Sequence, residues 1–275
     1  MEISHYAEDC YIFGDTRDAV NKDLDFTVQS FEDIGWRISH KKTKRAAAII
    51  DLMGLRYNMA ATTASAKTGY LHDLALVHMA LAKRNTTVTK KQLASLVGSF
   101  TFPNEAYPGS ISLLNPLNAL IKAKEGWTHT YAYNTVAPYM TRALAAFLHM
   151  PPCPLQVFTQ TPTPYYTDAT TTQIGIVGPG IYMAKQVTEK IVYRTETQGI
   201  HWLLKQIHIH RNTAIYTDNK ALMYACKKGR SNTHDTNRLC RTLLSLRLKG
   251  HIIAVYWIPT DKNPADEPSR MKLDF

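Results

Sequence analysis

The chain has 275 residues, 45% of them hydrophobic, and a formal net charge of +10. That is enough apolar material for one large core or two ordinary ones, and it excludes a disordered or fibrous chain. Residues 161–275 hold 16 Lys and Arg against 9 Asp and Glu, whereas residues 1–160 hold 16 against 13, so the later part is the basic one and points to a polyanionic partner. No run approaches the roughly 18 apolar residues of a membrane span, and the start lacks the layout of a secretory leader. Cys10, Cys153, Cys226 and Cys240 lie far apart, without metal-ligand spacing, and read as reduced thiols. The expectation is an intracellular, soluble chain with no membrane partner.

In chain order, ISHYAEDCYIFGDT reads as a hairpin of apolar runs around the acid pair Glu8-Asp9. DAVNKDLDFTVQSFEDIGW follows with a helical pattern in which Val20, Leu24, Phe26, Val28, Phe31 and Ile34 mostly share one face, and Gly35 stands where a helix C-cap would. WRISH and AIIDLMGLRY are strand candidates on either side of the basic run KKTKR. From Gly69 to Met150 the pattern is helical throughout, with Thr87 or Thr89 available as an N-cap and Pro103, Pro108 and Pro116 as punctuation. PPCPLQVFTQTPTP carries five of the 13 prolines, cannot be a helix, and reads as a domain boundary. Beyond it come three strands (PYYTDAT, QIGIVGPG, GIYMAKQV, with Gly180 in a tight turn), then a helix (TETQGIHWLLKQIH) and a strand (TAIYTDN). Two helices (KALMYACKKG, THDTNRLCRTLLSLRLKG) and a last strand (HIIAVYWIP) complete an α/β order with a mixed sheet.

Acids are scarce in this last part and stand at element ends. Asp168 ends the first strand, Glu196 opens the first helix, Asp218 ends the fourth strand and Asp266 follows the last. Singly, each reads as a turn former or a helix-dipole partner. The first and fourth strands of this topology are expected to be neighbours, which would bring Asp168 and Asp218 side by side with Glu196 above them. Carboxylates converging in a basic domain repel one another unless divalent cations sit between them. Oxygen-only ligands suit Mg²⁺ or Mn²⁺, and a pair of such ions serves attack of water on a phosphodiester.

YYTDAT, RTETQ, IYTDN and VYWIPTDKNPADEPSR, in this order and spacing, resemble the ribonuclease H domain of reverse transcriptases, most closely those of hepadnavirus polymerases and DIRS-like retroelements. The resemblance implies an RNase H-like fold over residues 162–275, with Asp168, Glu196, Asp218 and Asp266 as catalytic, metal-binding carboxylates for two Mg²⁺ and an RNA/DNA hybrid as substrate. The loop PTDKNPAD lacks the histidine that many relatives keep there, leaving Lys262 nearby, and product release is expected to be slower or differently assisted. The stretch after Asp218 is too short for the basic protrusion of cellular enzymes. In its place Lys220, Lys227, Lys228, Arg230, Arg238, Arg241, Arg247 and Lys249 face only Asp235, a one-signed run that reads as phosphate contact. Asn219 and Gln198 stand where minor-groove edges or 2′-hydroxyls could be read. His201, His208 and His210 read as structural or surface histidines, and Tyr256 and Trp257 as core.

The opening stretch also resembles part of such a protein. Tyr6-Ala7-Glu8-Asp9 resembles the palm YxDD box with its first aspartate lengthened to glutamate, and ISHKKTKR resembles the motif whose lysine, Lys42 here, faces nucleotide phosphates. LMGLRY is similar to the primer grip. The implied organisation is a partial palm (1–66), a helical thumb and connection (67–150), a Pro-rich linker (151–161) and the RNase H-like domain (162–275). The chain is expected not to polymerise DNA unless the remainder of a reverse transcriptase supplies palm and fingers. A competing reading is a noncatalytic nucleic-acid-binding remnant.

Overall fold

A computed structural model describes residues 2–6, 9–52, 54–83, 86–155, 161–207 and 212–271, the side chains of 2–6, 9, 102 and 105 excepted. The chain divides into two compact units, residues 1–50 with 58–60 and residues 51–57 with 61–275.

In the first unit, β1 (Glu2–Tyr6) and β2 (Asp9–Phe13) form an antiparallel hairpin with Tyr6 opposite Asp9. Ala7 and Glu8, the middle of the acid box, lie outside the described residues. Helix α1 (Arg17–Asp33) starts at Thr16, whose side chain accepts from the Ala19 N–H, and ends where Gly35 takes φ 85. WRISH is not a strand. Trp36 stacks on Phe31 at 5.2 Å and its N–H bonds to the Phe31 carbonyl, so the chain folds back on the helix end. The Ser39 carbonyl then accepts from the Lys42 and Thr43 N–H groups in a turn, with the Lys42 side chain exposed.

AIIDLMGLRY forms two strands, β3 (Ile49–Leu52) and β4 (Leu55–Asn58), because Gly54 at φ 79 turns the chain between them. After β5 (Thr63–Ala66) comes α2 (Thr68–Lys83), and then the helical expectation fails locally. Thr87–Thr89 is a short strand, β6, and only then follow α3 (Lys90–Gly98), α4 (Thr101–Ala106) and α5 (Asn115–Lys122). Thr130–Ala132 is its antiparallel partner β7, leading into α6 (Tyr133–His149). Three residues are too few to show a period of two, which hid this pair in a helical region. Thr89 closes β6 and caps α3 in a reciprocal box with Gln92. The Pro-rich segment enters β8 (Cys153–Pro154), which pairs with β5.

The second half is built on β9 (Thr163–Ala169), β10 (Gln173–Gly178), β11 (Ile181–Gln186), α7 (Val192–Gln206), β12 (Asn212–Thr217), α8 (Lys220–Lys228), α9 (His234–Leu248), β13 (Ile252–Trp257) and α10 (Asp266–Arg270). The sheet order is β11-β10-β9-β12-β13, with β10 antiparallel to β9 and β11 and with β9, β12 and β13 parallel. This is the RNase H-like mixed sheet, with the first and fourth strands adjacent. Alternation sends Tyr165, Ile174, Ile176, Ile215 and Ile253 to one face, where Ile200 and Leu203 of α7 and Leu239 and Leu243 of α9 complete a core. The opposite face carries Asp168 and a row of stacked tyrosines, Tyr166, Tyr216 and Tyr256, with ring centroids 5.1 and 5.6 Å apart. Tyr256 and Trp257 are therefore not core: they are 40% and 39% exposed on the edge strand β13.

Helix α9 joins this half to the helical one. Leu244 belongs to the core formed by Phe100, Tyr107, Tyr133 and Phe147. Arg241 donates to the Ser112 hydroxyl at 3.1 Å, and Gly229, at φ 69, lies directly against the backbone of Pro108 and Gly109.

Candidate active site

Asp168 is the sixth residue of β9. The parallel register pairing Tyr166 with Tyr216 carries β12 on to Asp218 alongside it. Glu196 reaches the pair differently from expectation, because α7 begins at Val192 and Glu196 lies one turn inside it. Its height over the sheet is set by Gly199, where a Cβ would stand 2.6 Å from the Thr167 hydroxyl; only a glycine lets the helix lie this close to β9. One carboxylate oxygen from each of Asp168, Glu196 and Asp218 lies within 4.8 Å of the other two.

The cluster is electrostatically expensive. Asp168 and Glu196 are 4% and 3% exposed, and Asp218 is half-buried. Burial first, then the charges of Asp168 and Asp218, push the Glu196 carboxyl up to about 9. Burial also raises Asp168, with Asp218 and Asp266 adding to it against the lowering hydrogen bond from Ser269. Three hard oxygen donors without nitrogen or sulfur fit Mg²⁺ or Mn²⁺, and their mutual repulsion is what a divalent cation would relieve.

Several supporting residues were not found from sequence. Ser269 donates to Asp168 Oδ2 at 2.5 Å and Thr260 to Asp218 Oδ2 at 2.7 Å, while the Trp257 indole donates to the Asp218 carbonyl at 3.0 Å. Asn263 donates to the Thr167 carbonyl at 3.1 Å, and the Gln173 amide to the carbonyls of Pro268 and Met271, so the loop and α10 are fastened to the sheet. At Gly175 a Cβ would stand 2.5 Å from both the Ala265 carbonyl and the Ser269 N–H, which fixes how near α10 approaches. The readable signal was the spacing in NPADEPSR, which puts Ser269 one helical turn after Asp266.

Asp266 itself is not in the three-oxygen cluster. Its Oδ1 accepts from Arg270 Nε at 2.8 Å, and its charge reaches Asp168 only as a contribution to that residue's raised pKa. Lys220, Lys227, Lys228, Arg230 and Arg238 are exposed on α8, the following turn and α9. Lys220 lies 4.2 Å over the Trp257 ring. Arg241 is committed to Ser112 and Arg247 is buried, so neither is part of a free basic face. Asn219 is the N-cap of α8, its side chain accepting from the Leu222 N–H, and Gln198 is half-buried two residues beyond Glu196. Burial lowers the pKa of the half-buried His201, while His208 and His210 lie outside the described residues. Lys262 is exposed in a 3₁₀ turn, Thr260–Lys262. Among the described residues no helix is long and apolar enough to cross a membrane.

A family model described as the DNA polymerase (viral) C-terminal domain matches residues 73–275. No curated protein matches. Among solved structures, the foamy viral protease-reverse transcriptase with an RNA/DNA hybrid is 17% identical with a TM-score of 0.47, the match covering 99% of this chain and 37% of that one. The same viral protein with double-stranded DNA gives 16% identity, a TM-score of 0.46, and 99% and 47% coverage. RNase H1 from the halophilic archaeon Halobacterium salinarum gives 12% identity and a TM-score of 0.32, over 38% of this chain and 89% of that one. The chain thus spans less than half the length of these two viral chains.

Proposed function

The chain belongs to the family of viral DNA polymerase C-terminal domains, and from that premise we propose that it hydrolyses the RNA strand of RNA/DNA hybrids as the C-terminal part of a retroelement or virus-like reverse transcriptase. The observation that carries this is the convergence of Asp168, Glu196 and Asp218 within 4.8 Å on the end of adjacent parallel strands. In this reading residues 1–66 are a partial palm, 67–150 a thumb and connection, 151–161 a linker and 162–275 the nuclease domain. Polymerisation needs the remainder of the reverse transcriptase.

Asp168, Glu196, Asp218 and Asp266 would be the carboxylates that hold two Mg²⁺, or Mn²⁺. Bound there, the ions supply a nucleophilic water at neutral pH and stabilise charge on the leaving oxygen. Glu196, whose carboxyl burial keeps protonated at neutral pH, would have to be ionised to serve as a ligand. Ser269 and Thr260 each donate to one oxygen of the Asp168 and Asp218 carboxylates, which restrains how these groups are oriented. Asp266, paired with Arg270 at 2.8 Å, would have to leave that bond to serve as a ligand. The exposed Lys227, Lys228, Arg230 and Arg238 bind phosphates of the hybrid and set its register.

The pairing of Asp266 with Arg270 favours the competing, noncatalytic reading, and one assay separates them. A 5′-labelled RNA/DNA hybrid is incubated with the chain in Mg²⁺ and in EDTA. Cleavage is expected in Mg²⁺ only, and Asp218→Asn is expected to lower it by more than about 10²-fold while hybrid binding stays within about twofold. Binding with no Mg²⁺-dependent cleavage in the wild type would identify a binding remnant.

A further inference from the structure

Arg247 is 5% exposed, yet it has no carboxylate partner among the described residues. One guanidinium nitrogen, Nη2, donates to the Ile253 carbonyl at 3.2 Å; Nε is buried and has no hydrogen-bond partner. A guanidinium does not escape burial by losing its proton, so an uncompensated one is strongly unfavourable unless a negative group reaches it. Arg247 also lines a cavity of about 180 Å³ between the two halves of the second unit, with Tyr57, Ala106, Pro108, Cys153 and Leu155 in its wall. That is roughly ten times the space one water needs.

The nearest groups that could carry negative charge are thiols. Burial pushes the Cys153 thiol up against the lowering effect of Arg247, which keeps it neutral. Cys240 is held down chiefly by its hydrogen bond with Cys226, so its proton is governed by that pair. A buried guanidinium without a carboxylate partner, on a side chain that lines a space much larger than a chloride, matches a tetrahedral oxyanion.

We propose that this cavity is a binding site for a phosphate group, held by Arg247 and bridging the helical half to the nuclease half through β8 and α9. The site is distinct from the carboxylate cluster and does not depend on its activity.

Cys153 lies in the cavity wall and reports its occupancy; Cys10, which is exposed, is the internal control. The full chain is treated with iodoacetamide in chloride, in inorganic phosphate, and in a deoxynucleoside 5′-monophosphate, all at equal ionic strength, and alkylation is read per cysteine by mass spectrometry. Phosphate is expected to slow modification of Cys153 several-fold and saturably, leaving Cys10 unchanged. Protection by inorganic phosphate assigns a free anion, and protection by the nucleotide alone assigns a terminal phosphate of a nucleotide or nucleic-acid end. Arg247→Met is expected to abolish the protection. If that variant does not fold, Ala106→Leu, which narrows the cavity and leaves the arginine, is expected to do the same. Equal Cys153 rates in all three solutions would overturn the proposal, as would protection that survives in a folded Arg247→Met or Ala106→Leu protein.

Discussion

Glu196 titrates far from its usual range for a reason that has consequences for stability. Its carboxyl rises from 4.5 to about 9 on folding, chiefly through burial and then through Asp168 and Asp218. The folded state therefore favours the protonated acid, a contribution that is complete below the unfolded pKa and is lost as pH rises through the folded one. Asp168 shifts in the same direction, so the two effects add. In EDTA, the thermal midpoint is expected to fall between pH 6 and pH 9. Glu196→Gln should flatten that slope without removing it and stabilise the metal-free chain at pH 8 by about 1–2 kcal/mol, while losing hybrid cleavage. An unchanged slope in differential scanning calorimetry would mean that Glu196 ionises freely. Ser269 acts through another residue: removing its hydroxyl leaves Asp168 less well oriented and harder to ionise. Ser269→Ala should weaken Mn²⁺ binding by about tenfold in titration calorimetry, with the folded structure retained.

At the scale of elements, the parallel neighbours β9 and β12 were legible because strand-ending acids and the order of helices and strands survive in any rotamer or register. The three-strand meander and its turn at Gly180 were legible for the same reason. What escaped depends on atoms meeting across long separations in sequence. Gln173 bonds to Pro268 and Met271, and Gly175 receives the backbone of α10, yet neither shows a pattern in its own stretch. By sequence Arg247 belongs to the one-signed basic run; its burial follows from a helix phase that places it beside Leu243 and Leu244. Gly175 also supplies a test. A methyl group there cannot fit against two backbone atoms at 2.5 Å, so α10 must move. Gly175→Ala is expected to cost about 1–3 kcal/mol in urea denaturation and to lower cleavage with it, since Ser269 and Asp266 travel with the helix.

Across the second unit, function and cohesion draw on the same two helices. The exposed cations of α8 and α9 face outward while Arg241, Leu244 and Gly229 are committed to the other half. Neutralising Lys227, Lys228 and Arg230 together is expected to reduce the slope of log binding constant against log salt by up to roughly 0.9 for each phosphate left unneutralised, without altering the midpoint of unfolding by more than a few degrees. Fluorescence anisotropy over a salt series measures it. A slope equal to that of the wild type would remove these side chains from the hybrid-binding surface.

Leu244 fills the core of the helical half from a position far along the chain. During synthesis, the rest of that half is complete only at Leu155, after β8, and about 90 more residues must be added before Leu244 exists. At roughly 5–20 residues per second, the nascent chain would carry an unfilled apolar gap for about 5–20 s. A ribosome stalled before α9 would therefore display a sticky intermediate, one whose protease sensitivity should vanish only once that single helix has cleared the exit tunnel.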